Sequence, residues 1–230
     1  MRAYVLCGGF GTRLRSVTDS QKALVSVNGE PFLARVLRQL SHAGITEAVL
    51  CAHYRAEQVA EQLATLGQDA GLKLILVVEP TPLGTGGALL NALNEQPAAG
   101  RYLVLNADTF IDAQGYRLAA QGQGNALLAV QVDDRSRYGS LALNSAGHLV
   151  AMQEKGLEGE GLINAGVYAF THEAFAAVPV RACSMEHDLL PELLAREVVT
   201  VIEYAGRFID IGTPESLDRY ANDFQTEPTR

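Results

Sequence analysis

The chain has 230 residues, a formal net charge of −8 and 48% hydrophobic residues, values that fit a globular protein with a substantial core and exclude a disordered one. The acidic balance argues against a nucleic-acid partner, although a local pocket can still be positive. No apolar run approaches the ~18 residues of a membrane span, MRAYVLCGGFG breaks into glycines too early for a signal peptide, and Cys7, Cys51 and Cys183 lack CxxC spacing, so a cytoplasmic protein with packed thiols and no membrane partner is expected.

AYVLC (3–7) predicts a first strand, which breaks into Gly8, Gly9, Phe10 and Gly11, with Arg13 and Lys22 downstream. Glycines at the carboxyl end of a strand let backbone N–H groups form a nest for an anion. Arg13 and Lys22 would add mobile positive charge over phosphates. PFLARVLRQLSHAG places Phe32, Leu33, Val36, Leu37 and Leu40 on one face, predicting a helix with Pro31 at its first position and Gly44 as its stop. Next come a strand EAVLCA (47–52), a helix AEQVAEQLATLG with Val59, Leu63 and Leu66 inward, and a strand KLILVVE (73–79). GTGGALLNALNEQ predicts a helix entered through glycines, and RYLVLNA (101–107) and NALLAVQV (125–132) predict two further strands. Continuous apolar strands separated by helices imply an α/β fold, a Rossmann-like and mostly parallel sheet covered on both faces.

After about residue 135 the rhythm changes. SLALN, the turn NSAGH and LVAMQE predict an antiparallel pair, an antiparallel excursion of the C-terminal half. GLEGEG (156–161) reads as a flexible loop, GLINAGVYAF as a strand, then a short helix, a helix SMEHDLLPELLAR, a strand VVTVIEY and a last helix PESLDRYANDF. With no repeat and no linker, residues 1–230 read as one domain: an N-terminal half to about residue 110 that binds a nucleotide, and a half from about 111 that completes the sheet and the pocket.

A Walker A loop is excluded, because GxxxxGK[ST] occurs nowhere. A dinucleotide-dependent oxidoreductase fits poorly: the glycines miss GxGxxG, and His53 stands where the ribose-binding acid would close the second strand. The string Gly-Gly-x-Gly-Thr-Arg-Leu, with Lys22 nine residues beyond Arg13, resembles the signature of the sugar-1-phosphate nucleotidyltransferases. EPTPLGTGGAL (79–89), LVLNADTFID (103–112), YGS (138–140), QEK (153–155), LINAGVY (162–168) and FIDIGTPE (208–215) follow in that family's order. Within the family, GGFGTRLRSV, EKG, GLINAGVY and IDIGTPE most resemble guanylyltransferases acting on D-glycero-α-D-manno-heptose 1-phosphate. Mannose 1-phosphate guanylyltransferases and uridylyl- or thymidylyltransferases are the alternatives, and a non-catalytic sugar-nucleotide-binding protein is the rival of another class.

The resemblance implies a nucleotidyltransferase fold of the GT-A type and transfer of GMP from GTP to a sugar 1-phosphate. It implies nucleotide contacts from Leu6, Gly8, Gly9, Gly11, Thr12, Arg13, Glu79, Gly84 and Thr85, and sugar-phosphate contacts from Asp108, Gly139, Glu154, Lys155 and Asn164. Arg13, Lys22 and Asp108 are the expected catalytic residues. Asp108 and Asp210, each at a strand end, are expected to hold Mg²⁺, a hard ion that suits carboxylates and phosphate oxygens. Glu79 would select guanine, since a carboxylate accepts from both the ring N–H and the exocyclic amine. Asp112 reads as a helix-start or solvent residue, Thr213 and Pro214 as the cap and first residue of the last helix, and His187 as a surface residue. Two positions depart from the family pattern: Gln21 stands for proline, which should loosen the loop carrying Lys22, and Ala107 stands for glycine, adding a β-carbon beside the expected sugar–phosphate site. Monomer and homodimer are both open on the sequence.

Overall fold

In the computed structural model, which describes residues 1–11, 14, 20–153 and 156–223, the apolar runs of the first half become parallel strands. β1 (Arg2–Leu6) is followed by a hairpin of β2 (Ser26–Val27) and β3 (Glu30–Pro31), then α1 (Phe32–His42), β4 (Glu47–Ala52), α2 (Ala56–Ala70), β5 (Lys73–Val78), α3 (Gly84–Glu95) and β6 (Tyr102–Asn106). β1 pairs in parallel with β4 on one side and β6 on the other, and β4 pairs in parallel with β5. The chain therefore winds outward from β1 in one direction, then returns through α3 to β1's other edge.

The second half adds β7 (Thr109–Ile111), α4 (Ala113–Gln121), β8 (Asn125–Val132), β9 (Ser140–Leu143), β10 (Leu149–Gln153) and β11 (Gly161–Phe170). α5 (Leu190–Leu194), β12 (Val199–Glu203), β13 (Phe208–Asp210) and α6 (Pro214–Asp223) complete the chain. Among the described residues nine strands form one sheet, ordered β10-β9-β11-β6-β1-β4-β5, with β8 joined to β11 and β12 to β8. β11 runs antiparallel to β6, β8 and β9, so it is the seam between the parallel half and the antiparallel excursion.

Alternation along the strands gives the sheet two buried faces. Ala3 and Val5 of β1 pack with Leu33, Leu37 and Leu40 of α1, whereas Tyr4 packs on the opposite face with Leu89 and Leu90 of α3. The face expected of α1 is fully inward: Phe32, Leu33, Val36, Leu37 and Leu40 are all 0% exposed. Each such side chain stabilises the fold by roughly 1.5–3 kcal/mol relative to exposure. Gly44, at φ +88°, ends this helix as expected, with its N–H on Ser41 and the next N–H, of Ile45, on Leu40. No helix among the described residues is long and apolar enough to cross a membrane.

Four local features differ from the sequence reading. Pro31 caps α1 from an extended conformation (ψ 137°) instead of being its first helical residue. SMEHDLLPELLAR is a π-helical turn, Met185–Leu189, before the five-residue α5, because Pro191 has no N–H with which to continue an α ladder back to His187. The β2–β3 hairpin went unread although Asn28-Gly29, at φ +53° and +89°, is the residue pair that favours a tight type I′ turn. α4 was foreshadowed only by Asp112, whose carboxylate accepts from Gln114 N–H at 2.9 Å and caps it. Thr213 caps α6 in the expected way: its hydroxyl accepts from Ser216 N–H, 3.3 Å.

Gln21 itself is held in place. Its φ of −55° is the value a proline would impose, and it is 1% exposed. Its backbone N–H, which a proline would lack, donates to Gln58 Oε1 at 2.8 Å. The side-chain Oε1 accepts from Ala23 N–H at 2.7 Å and Nε2 donates to the Cys7 carbonyl, so one amide ties the end of β1 to the turn that carries Lys22. Gln21→Ala removes both bonds and leaves buried partners unpaired, which costs about 1–3 kcal/mol. Urea denaturation should show that loss, and turnover should fall with it as Lys22 loses its mooring; unchanged stability would mean that the turn stands without the amide.

Candidate active site

The crevice of an open α/β sheet lies beyond the carboxyl ends of strands at which the winding direction reverses. Here those strands are β1 and β6, whose last residues, Leu6 and Asn106, stand opposite each other. Beyond them a cavity of about 270 Å³ is walled by Leu6, Gly8, Gly9, Glu79, Lys22 and Asp108, among others. Each loop glycine has its own reason. A Cβ on Gly8 would lie 2.7 Å from Glu79 Oε1, so a larger residue would push the carboxylate aside. Gly9 is open, with nothing within 4 Å of a Cβ. Gly11 adopts φ +58°, a Cβ on it would lie 3.1 Å from Lys22 Cβ, and it does not line the cavity.

Glu79 leaves the end of β5 and is only 5% exposed. Its Oε2 accepts from Leu83 N–H at 2.9 Å, which fixes the carboxylate and caps the turn before α3. Burial raises its pKa, opposed by the Leu83 N–H and by the nearby His53. His53, in the place of the ribose acid, instead donates from Nδ1 to the Glu79 carbonyl, 3.2 Å. Gly84 and Thr85 also line the cavity, but the amides of the first turn of α3 are not open to it: Gly86 and Gly87 donate to the Cys183 carbonyl at 3.0 and 3.1 Å. A Cβ on Gly84 would come within 2.7 Å of that same oxygen, so these glycines admit the 181–184 segment.

A second cavity, of about 560 Å³, adjoins the first, and Thr85, Asn106 and Asp108 line both. Its wall also includes Gly139, Asn164, Asp210 and Arg137. Pairing of β13 with β7 sets Asp210 opposite Thr109, and Ile211 N–H donates to the Asp108 carbonyl at 2.9 Å, so the two expected metal carboxylates come from adjacent backbone segments. The Asp108 carboxylate is ion-paired with Lys22. Asp210 accepts from Gly212 N–H at 2.6 Å and lies 3.6 Å from the Arg137 guanidinium. Among the described residues no group of three or more His, Cys, Asp and Glu side chains is gathered. Two carboxylates nevertheless fit a magnesium ion, which keeps several positions for water and phosphate oxygens. Ala107 is 2% exposed and packs into the core, and it lines the first cavity and not the second.

Thr12, Arg13, Glu154 and Lys155, four of the expected contacts, lie outside the described residues. The sequence reading missed Arg137, Glu186 and Asn106 in the second cavity. Arg137 immediately precedes the YGS string and could have been read with it; Glu186, inside an apolar helical pattern, gave no signal. Two adjoining cavities, sharing a carboxylate and each edged by a cation, can hold two anionic substrates against each other.

The nucleotidyl transferase family model matches residues 2–227 of the chain. The chain is 32% identical to the D-glycero-alpha-D-manno-heptose 1-phosphate guanylyltransferase of Campylobacter jejuni, over 94% of this chain and 96% of that protein. It is also 32% identical to the catalytic subunit beta of mannose-1-phosphate guanylyltransferase from Drosophila melanogaster, of which it spans 60%. Its fold matches the crystal structure of HddC from Yersinia pseudotuberculosis complexed with GMP-PN, with a TM-score of 0.84 at 32% identity, covering 97% of this chain and 99% of that one. A mostly parallel sheet with a crevice at its switch point, a glycine loop over that crevice and a match along nearly the whole chain lead to one conclusion: this protein belongs to the nucleotidyl transferase family.

Proposed function

We propose that this protein transfers GMP from GTP to D-glycero-α-D-manno-heptose 1-phosphate, releasing pyrophosphate and giving a GDP-heptose, in the cytoplasm. The observation that carries the reading is the pair of cavities that meet at Asp108, one under the glycine loop with Glu79, the other facing Asp210 and Arg137. A phosphate oxygen of the sugar phosphate attacks the α-phosphorus of GTP; the bond from that phosphorus to the bridging oxygen breaks, and the electron pair leaves with pyrophosphate. The nucleophile is already anionic, because the second pKa of a phosphate monoester is about 6, so no side chain has to remove a proton.

The chain's task is to hold two polyanions in line. Unit charges 4 Å apart repel by roughly 4 kcal/mol at an effective dielectric of about 20. Lys22, packed beneath the glycine loop, and Arg13 oppose charge on the departing pyrophosphate. Lys155 and Arg137 oppose it on the sugar phosphate, with Glu154, Asn164 and the Gly139 N–H bonding hydroxyls. Asp108 and Asp210 would hold Mg²⁺, which supplies further neutralisation when bound. Glu79 accepts both guanine donors on a carboxylate already fixed by Leu83; the cap and the base contact are compatible, because each oxygen has two lone pairs.

Asp210→Asn should nearly abolish pyrophosphate release with the fold intact, and Asp108→Asn likewise. The two changes differ in that only the second deprives Lys22 of its partner. Near-normal rates for both across a magnesium titration would remove the metal assignment.

Glu79→Gln should cost GTP roughly 1–3 kcal/mol, by analogy with bidentate base contacts. It should raise relative use of UTP and dTTP, whose carbonyl no longer faces a carboxylate. kcat/KM for GTP, ATP, UTP and dTTP, before and after the change, decides this; a wild-type preference for UTP or dTTP would defeat the guanine reading.

Similarity to the Drosophila subunit favours mannose 1-phosphate as the second reading. The heptose 1-phosphate should have the higher kcat/KM if the pocket hydrogen-bonds its extra hydroxymethyl group, which can make discrimination large. Equal values, or a preference for mannose 1-phosphate, would shift the assignment to the second sugar.

A further inference from the structure

Glu186 lies in the wall of the second cavity, on the π-helical turn Met185–Leu189, a conformation often found at functional sites. Its carboxylate receives three hydroxyl groups. Tyr168 OH donates to Oε1 at 3.1 Å, and Ser184 Oγ and Thr85 Oγ1 donate to Oε2 at 3.3 and 3.4 Å. Each of those oxygens is itself approached by a donor: Tyr168 by Asn164 Nδ2 at 2.7 Å, Thr85 by Met185 N–H at 2.9 Å and Ser184 by His187 N–H at 3.2 Å.

A hydroxyl has one proton to give. An ionised carboxylate has none, so each hydroxyl facing Glu186 must donate to it, and the oxygen's lone pairs are left for the donor behind: all three relays run towards Glu186. The relay through Tyr168 bears on the orientation of Asn164. With Nδ2 towards Tyr168 and Oδ1 accepting from Gly166 N–H at 2.9 Å, the amide is left with one N–H and one lone pair for a ligand. Tyr168 is 0% exposed, and burial, reinforced by the Glu186 charge, raises its pKa and keeps its proton in place. The relay through Thr85 reaches the first turn after the loop whose Leu83 N–H fixes Glu79.

We propose that Glu186 is a positioning residue: through Tyr168 it fixes the donor–acceptor face that Asn164 presents to the sugar, and through Thr85 it ties that face to the nucleotide loop. The inference rests on the two-cavity reading above, with Asn164 on the sugar side.

The test uses the full chain, GTP and whichever sugar 1-phosphate the wild type turns over fastest, so the choice of sugar does not enter. Glu186→Ala and Tyr168→Phe should each raise the KM for sugar phosphate about tenfold, the scale expected when a binding group is misoriented, with a smaller change in the KM for nucleotide. The double variant should be no worse than the poorer single one, because both cut the same relay. Glu186→Gln should bring the sugar KM back to within about threefold of wild type, since its amide oxygen still accepts from Tyr168. Thermal melts accompany each variant; should Glu186→Ala fail to fold, Tyr168→Phe carries the same expectation. An unchanged sugar KM in folded variants, or effects that multiply in the double variant, would overturn the proposal while leaving the enzyme assignment standing. A wild type that uses no sugar 1-phosphate would bring down the functional reading, and this one with it.

Discussion

Leu6 and Asn106 face each other at the ends of two parallel strands, and the rest of the site is arranged around that pairing. Parallel strands finish at the same edge of a sheet, so the loop after β1 and the loop after β6 must emerge side by side. The first carries the glycines and, beyond them, Lys22; the second carries Asp108. Their ion pair closes a span of 86 residues in sequence. Because the winding reverses here, no crossover helix covers the crevice, and it stays open to ligands.

The distribution of charge follows from what such a crevice must bind. A chain with net charge −8 still gathers Lys22 and Arg137 at its two cavities, each beside a carboxylate. A cation partnered in this way is held in place before substrate arrives, at little cost in side-chain freedom when phosphate replaces the carboxylate. Two other carboxylates, buried Glu79 and half-buried Glu186, carry the opposite role. Glu79 and Glu186 each accept from groups in neighbouring segments, the Leu83 N–H in one case and three hydroxyls in the other. An acceptor-only group imposes direction on every donor that reaches it, which orders the walls of both cavities.

Gln21 shows how one local solution can replace another. A proline would hold φ near −65° by its ring; here a similar φ of −55° is held by hydrogen bonds to Cys7, Ala23 and Gln58. Those partners come from the end of β1, the following turn and α2, so the rigidity is tertiary in origin. The same holds for the glycines of α3, whose small size serves the approach of the Cys183 backbone as well as the cavity.

Hydrophobic periodicity in the sequence was enough to establish the α/β class, the strands Glu47–Ala52, Asn125–Val132 and Gly161–Phe170 to the residue, and the buried stripe of α1, because burial on one or both faces is written into spacing. The glycine loop and Glu79 were likewise legible just past the ends of strands, and Asp108 and Asp210 through the motifs LVLNADTFID and FIDIGTPE that contain them. Short elements were not: β7 and β13 are three residues each, too few for a period, and they exist only because they pair with each other. Arg137 and Glu186 were hidden for a related reason. A charged residue in a loop or a helical pattern looks solvent-facing until the fold shows which wall it joins, and the partners that give Glu186 its direction, Tyr168 and Thr85, lie 18 and 101 residues away. Local chemistry fixes which groups are available; only packing decides which of them meet, because hydrogen bonds and ion pairs act over a few ångströms of space and are blind to distance along the chain.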